Sequence, residues 1–191
     1  GEIQIESTSY TVSEPTEYAT IEPIIYKYAS DDEKKILKEK FEVEPIKIKV
    51  IKLERMFIDK VFAAEFYYIR EEYTDASKHI YDLCTLINNT KIKKLFNDEQ
   101  ELVKLVEYKR EEEKIRTGGI SSNLKIKDFT YLKENFNDEF YARFKSMQDK
   151  YIINEKYKVN MKQIKDTIEM IKNKFSNINI WKSKAICNKT Y

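Results

Sequence analysis

The sequence is poor in the residues that interrupt secondary structure. It has three prolines and three glycines in 191 residues, and all three prolines lie within the first 45. Apart from Gly1, the glycines are the adjacent pair Gly118 and Gly119. Because proline and glycine break helices, this distribution predicts a turn-rich first part and a helical remainder with one break near residue 118.

Long apolar segments and an excess of one charge are also missing. No apolar run approaches the roughly 18 residues of a membrane-spanning helix, and no basic-then-apolar leader suggests secretion. Basic residues number 35 and acidic residues 33, so the net charge of +2 is not that of a polycation that coats nucleic acid. Cys84 and Cys187 lack the spacing of a metal site, and we expect both to be reduced thiols in a cytoplasmic protein.

Alternating and helical patterns divide the chain near residue 52. Ile3 and Ile5 alternate with polar residues and predict a strand, and further strands are expected over 20–28 and 47–52. Ser30 followed by Glu33 is a capping box that predicts a helix to about Phe41. We therefore expect an α+β fold, with a sheet part over 1–52 and a helical part over 53–191.

The helical part shows apolar residues at spacings of three and four. A last helix should pack through Met161, Ile164, Ile168, Ile171 and Phe175, and the tail with Trp181 is expected to dock on the protein. The second helix is expected to be capped by Thr74 or Asp75, and the third to start at Asn97. The predicted helices cover 53–72, 75–89, 97–116, 128–148 and 158–175.

Two charged residues occupy unusual positions on the first two of these helices. Lys60 falls on an apolar helix face, where an ammonium group must reach water, meet an anion or lose its proton. Asp82 lies off the buried stripe of the next helix, on the face of His79. A short turn joins the two helices, so they should pack antiparallel with Lys60 and Asp82 at matching heights. The sequence therefore predicts a charged pair. The apolar residues on the face of Lys60 are Leu53, Met56, Phe57, Val61 and Ala64.

The segments around these two residues resemble the motifs of one protein family. The runs Glu54-Arg55-x-Phe57-x-x-Lys60 and His79-x-Tyr81-Asp82-Leu83 are similar to signatures of the AbiEii/AbiGii toxin family of nucleotidyltransferases. The spacing of 22 residues between Lys60 and Asp82 (82 − 60) also fits that family. The resemblance extends over roughly residues 1–175. In the later part it includes the segments Val106–Arg110 and Phe144–Tyr151 and the break at Gly118.

This resemblance implies a remnant of a nucleotidyltransferase mixed sheet followed by a helical bundle lobe. It implies the toxin component of a bacterial toxin–antitoxin or abortive-infection system, with a possible cognate antitoxin. Such a toxin transfers a nucleoside monophosphate from an NTP to an acceptor such as a tRNA 3′ end, with Mg²⁺. Lys60 would hold the triphosphate or the charge developing on phosphorus, and Asp82 would orient Lys60 or an acceptor hydroxyl. Glu54, Lys109 and Arg110 are further candidates for nucleotide contacts.

The family's metal-binding signature, a glycine-rich turn followed by Asp-x-Asp, is only partly imitated here. The run Gly118-Gly119-Ile120-Ser121-Ser122 resembles the turn but follows a predicted helix, and no Asp-x-Asp occurs in the 191 residues. Glu6 is the one candidate for a remaining metal ligand. We expect this chain to be the C-terminal portion of a longer enzyme, with sequence before Gly1. Alone, it should bind no Mg²⁺ pair and transfer no nucleotide.

Three classes of function remain open: a nucleotidyltransferase toxin, a non-catalytic helical module that binds an antitoxin or RNA, and a structural domain without a site. Each candidate residue also has a structural interpretation. Lys60 can be a stem that reaches water, and Asp82 a surface partner of His79 or Lys78. Lys109 and Arg110 fit a solvated charge run equally well. His79 is expected to pack rather than act as a base, and most of the 14 tyrosines and 10 phenylalanines should be core.

Overall fold

The computed structural model describes residues 15–133 and 136–178. These residues fall into two compact units, 15–52 and 53–178. The α+β class predicted from the sequence is confirmed, since a small sheet is followed by a largely helical unit. The strand expected at Ile3 and Ile5, the candidate ligand Glu6, the tail with Trp181, and Cys187 lie outside the described residues.

The smaller unit is a two-stranded antiparallel sheet whose strands are joined by two helices. Strand β1 (Thr16–Ile21) pairs with β2 (Ile46–Ile51), with Thr16 opposite Ile51. Helix α1 (Ile24–Tyr28) and helix α2 (Asp31–Phe41) lie between them in sequence. No residue between 15 and 52 is fully buried.

The strand expected over 20–28 is wrong beyond Ile21. Pro23 ends β1 because proline has no N–H to donate to a strand ladder, and its φ of −57° suits the start of a helix. The predictions for α2 and β2 are confirmed. Ser30 accepts a hydrogen bond from the backbone N–H of Glu33, and the Glu33 carboxylate accepts one from the backbone N–H of Ser30 at 2.7 Å.

The larger unit begins with two helices joined by a tight turn. Helix α3 (Leu53–Tyr68) packs against helix α4 (Tyr73–Leu86), as predicted for an antiparallel pair. The expected caps Thr74 and Asp75 are wrong, since α4 begins one residue before Thr74 and Asp75 instead pairs with Lys78 at 2.8 Å. Glu71 has a φ of 60°, which is outside the range of a right-handed helix. The backbone therefore leaves the helical conformation at Glu71, and α4 begins two residues later at Tyr73.

Five further α-helices and two short 3₁₀ helices, Ile126–Asp128 and Glu155–Tyr157, complete this unit within the described residues. The segment from Thr90 was not predicted as a helix; it begins where the Asn89 side chain accepts a hydrogen bond from the backbone N–H of Lys91. Asp98, not Asn97, caps the next helix. The helix expected over 128–148 is instead two, the second capped by Asn137. These helices are α5 (Thr90–Asn97), α6 (Glu99–Ile115), α7 (Thr130–Lys133), α8 (Asp138–Tyr151) and α9 (Met161–Ser176).

A single apolar core fills the larger unit. Four of the five predicted core residues of α9 are buried, whereas Met161 at its first turn is 39% exposed. Cys84 is buried and makes no disulfide, and burial raises the pKa of its thiol to about 11. None of the helices in the described ranges combines the length and the apolar composition needed to cross a bilayer. Among the largest fully buried apolar side chains are Phe57, Phe62, Phe129, Tyr131, Phe140 and Phe144.

Candidate active site

Lys60 and Asp82 form an ion pair between α3 and α4. The Lys60 Nζ lies 2.6 Å from Asp82 Oδ2, and the two side chains are 27% and 36% exposed. The predicted proximity of these residues is therefore confirmed. Phe57, Val61 and Ala64 of the same helix face are buried, so the anion of Asp82 explains how an ammonium group is held at the edge of that face. Both charges remain within reach of solvent and of a ligand.

His79 lies beside this pair and packs on an aromatic ring. Its imidazole stacks on Tyr67 of α3, with ring centroids 5.3 Å apart and an interplanar angle of 22°. Burial, followed by the nearby Lys60 ammonium, lowers the pKa of His79 to about 4. The imidazole is therefore neutral at pH 7, and its buried Nδ1 makes no hydrogen bond within the described part of the chain. This geometry agrees with a packing role.

A buried ion cluster joins α3 to α6 through residues that sequence reasoning missed as partners. Arg55 is fully buried; it pairs with Asp59 on the same helix and with Glu112 of α6 at 2.5 Å. Lys109 Nζ lies 3.0 Å from Glu113, 3.3 Å from Glu112 and 3.5 Å from Asp59. Burial raises the pKa of Asp59, although the positive charges of Arg55 and Lys109 oppose the rise. The signal was the i, i+4 spacing of Arg55 and Asp59, but spacing does not reveal burial.

The other predicted nucleotide contacts are not gathered around Lys60. The Lys109 ammonium is inside the cluster just described. Arg110 donates hydrogen bonds of 2.8 Å to the carbonyls of Ser122 and Leu124, and burial lowers the pKa of its guanidinium. Glu54 stands six positions before Lys60 on a helix of about 3.6 residues per turn, which puts the two on different faces. Nucleotide-binding roles for these residues stay predictions, and Lys109 and Arg110 already have partners inside the protein.

The carboxylates of the described residues do not fit a Mg²⁺ pair. Mg²⁺ needs oxygen ligands that are not already neutralised, whereas Asp59, Glu112 and Glu113 surround Arg55 and Lys109. No group of three histidine, cysteine, aspartate or glutamate side chains within 15–133 and 136–178 has a metal-binding arrangement. The described site can therefore supply charge and position, and no metal-dependent step follows from it.

Comparison with known proteins decides the family. The family model described as nucleotidyl transferase AbiEii toxin, type IV toxin–antitoxin system, matches residues 1–171. The chain belongs to the AbiEii family. The resemblance seen in the motifs around Lys60 and Asp82 is thereby confirmed. Neither the comparison with curated proteins nor that with solved structures gave a match.

Membership of the AbiEii family gives the reaction class and the biological system. The family is a nucleotidyltransferase and the toxin of a type IV toxin–antitoxin system. Of the residues that carried the resemblance, the structure brings Lys60, Asp82 and His79 to one surface between α3 and α4. It places Arg55 and Phe57 in the interior. Arg55 and Phe57 of the first motif therefore fix α3 in the protein interior. Lys60, the last residue of that motif, is its member in the surface ion pair.

Proposed function

We propose that this AbiEii chain contributes Lys60 and Asp82 to the transfer of a nucleoside monophosphate from an NTP to an acceptor such as a tRNA 3′ end. The observation that supports the proposal is the ion pair at 2.6 Å, which is about one third exposed and lies beside a neutral histidine. Lys60 has one carboxylate partner and stays partly exposed, whereas Lys109 is buried and surrounded by carboxylates. The proposed setting is the bacterial cytoplasm, where NTPs and tRNA occur, with a cognate antitoxin as a regulatory partner.

In this reaction the acceptor hydroxyl oxygen attacks the α-phosphorus of the NTP. The bond from that phosphorus to the bridging oxygen breaks, pyrophosphate leaves, and the hydroxyl proton is released. Negative charge builds up on the phosphate oxygens as the bond breaks, and an ammonium group at hydrogen-bond distance stabilises it. Lys60 supplies that group, and Asp82 fixes the direction of its long, flexible side chain. The neutral His79 adds no competing positive charge.

Two substitutions in the full-length protein test the assignment. Lys60→Met and Asp82→Asn are scored for transfer of label from an α-labelled NTP to tRNA and for melting temperature. Loss of one charge-stabilising donor should lower transfer by about 100-fold or more. An ion pair that is partly exposed to solvent contributes about 1 kcal/mol or less, so the melting temperature should fall by only a few degrees.

A matched control comes from another ion pair of the same unit. Lys133 lies 3.2 Å from Asp128, which is 36% exposed, the same fraction as Asp82. Lys133→Met and Asp128→Asn should leave transfer unchanged. If the Lys60 and Asp82 variants melt early while keeping normal transfer, the pair is structural and the assignment is wrong.

We also propose that the 191-residue chain alone transfers no nucleotide, because its sequence has no Asp-x-Asp and because the clustered carboxylates Asp59, Glu112 and Glu113 already pair with Arg55 and Lys109. The same labelling assay checks this with the isolated chain, Mg²⁺ and total tRNA. Labelling that Lys60→Ala abolishes would show that the chain holds a complete site. The alternative function, a helical module that binds an antitoxin or RNA, would show tight binding in the full-length protein without any labelled product.

A further inference from the structure

Two tyrosines at and just after the end of α8 lie outside the apolar core. Tyr151, at the end of α8, is 51% exposed, and Tyr157 is 59% exposed. Each ring has a lysine ammonium group near it. Lys78 and Lys150 lie 5.5 and 5.1 Å from the centroid of the Tyr151 ring, and Lys156 lies 4.7 Å from that of Tyr157. These five residues form a basic–aromatic patch.

The segment that carries most of this patch is positively charged. Between residues 143 and 162 there are six basic and two acidic side chains, which gives +4 in a chain whose net charge is +2. Both acids, Asp149 and Glu155, pair with Lys158, at 2.6 and 2.7 Å. Lys150 and Lys156 of the patch have no carboxylate partner within the described ranges, so their charge is available to an outside anion.

The patch adjoins the Lys60–Asp82 pair through α4. The Tyr81 hydroxyl donates a hydrogen bond of 3.0 Å to the carbonyl of Tyr157, and Asp82 is the next residue. Lys78, over the Tyr151 ring, precedes Asp82 by four positions, which places both on one face of the helix with Cβ atoms about 6 Å apart. A chain bound on the patch therefore reaches the ion pair within one helical turn.

We propose that the basic–aromatic patch binds single-stranded RNA and holds its end beside Lys60 and Asp82. Exposed aromatic rings stack on bases, and base stacking requires bases that are not already paired in a duplex. Lys150 and Lys156, which lie beside the two rings, contact the phosphates that flank a stacked base. An acidic polypeptide would satisfy the charges and leave the rings without a partner. The role of this RNA as acceptor rests on the proposed transferase function, but its binding does not.

Fluorescence anisotropy with a labelled single-stranded RNA of about 12 nucleotides tests the binding directly. With the 191-residue chain, Tyr151→Ala and Tyr157→Ala should each weaken binding by about fivefold or more, the usual loss for a stacked base. Because both rings are more than half exposed, neither variant should alter the circular dichroism melting curve. Lys150→Gln and Lys156→Gln should each reduce the slope of log K against log salt by about 0.7.

The chain offers a matched control on α6. Tyr108 is 44% exposed with the Lys104 ammonium 6.0 Å from its ring, the same arrangement on a helix rich in glutamate. Tyr108→Ala and Lys104→Gln should leave RNA binding unchanged. An equal loss with these variants, or no RNA binding by the unaltered chain, would overturn the proposal. So would equal binding of duplex RNA, or equal displacement of the RNA by poly-glutamate at the same charge concentration.

RNA binding and nucleotide transfer depend on different residues, so the two can be lost separately. Lys60→Met leaves the rings and their lysines in place, so it should keep RNA binding within about twofold while abolishing transfer in the full-length protein. Tyr151→Ala should raise the KM for RNA more than it lowers kcat. If the Tyr151→Ala variant loses transfer activity while its KM for RNA stays normal, Tyr151 does not act in RNA binding and the proposal is overturned.

Discussion

At the residue scale, the site is defined by which charges stay near solvent. The chain places several cations close to α3, yet their environments differ sharply. Arg55 and Lys109 are buried among carboxylates, whereas Lys60 has one anionic partner at the surface. Only a cation of the second kind can form a new bond with a phosphate without leaving a buried carboxylate unpaired.

The single histidine gives a direct experimental view of this surface. His79 should titrate near pH 4, because burial and the Lys60 ammonium both lower its pKa from the usual 6.5. Nuclear magnetic resonance of the imidazole protons measures the value without assignment, since the chain has one histidine. Lys60→Met should raise the pKa part of the way back. A value of 6 or above in the unaltered protein would contradict the packing described.

The same shift sets the sign of a pH effect on stability. In the unfolded chain His79 takes up its proton near pH 6.5, whereas the folded protein does so only near pH 4. The free energy of unfolding should therefore decrease as pH falls from 6.5 to 4, by on the order of 3 kcal/mol from this residue. His79→Gln should remove that part of the pH dependence in urea titrations.

At the element scale, the buried ion cluster fixes α6 against α3. Lys109→Met removes one cation and leaves Glu113 and Glu112 under-neutralised in a buried place, which should cost about 3 to 5 kcal/mol of unfolding free energy. The exposed Lys104, 3.8 Å from Glu101 on the same helix, serves as control, and Lys104→Met should cost less than about 1 kcal/mol. Urea denaturation measures both.

The result for Lys109 also tests its predicted role at the nucleotide. If Lys109→Met keeps its stability but loses NTP binding in the full-length protein, then the cluster opens to the substrate and the sequence-based role stands. A large loss of stability would instead explain any loss of activity through the position of α3, which carries Lys60.

Local signals in the sequence were sufficient for part of this architecture. The Ser30–Glu33 box fixes the start of α2, and the lengths of α3 and α4 were enough to bring Lys60 and Asp82 together. Burial of charge could not be predicted, because the partners of Lys109 come from two helices that are distant in sequence. The failure beyond Ile21 was also local, since Pro23, whose φ of −57° suits the start of a helix, lies inside the segment that was expected to be a strand.

At the scale of the whole molecule, the two units differ in how much interior they have. Helices α1 and α2 contain no buried residue, whereas α3 alone contains eight. Limited trypsin digestion followed by mass spectrometry should give first cuts within 15–52 and a long-lived product that begins near α3. Trypsin sites are plentiful in both units, so the contrast reflects local opening rather than sequence. First cuts within α3 or α4 would contradict it.

The lack of an interior in residues 15–52 bears on how long a toxin of this kind lasts in a cell. A stretch of about 40 residues without a core opens readily, and proteases act on opened chain rather than on folded helices. The concentration of intact protein would then follow the opening of this short stretch, while the helical unit outlives it.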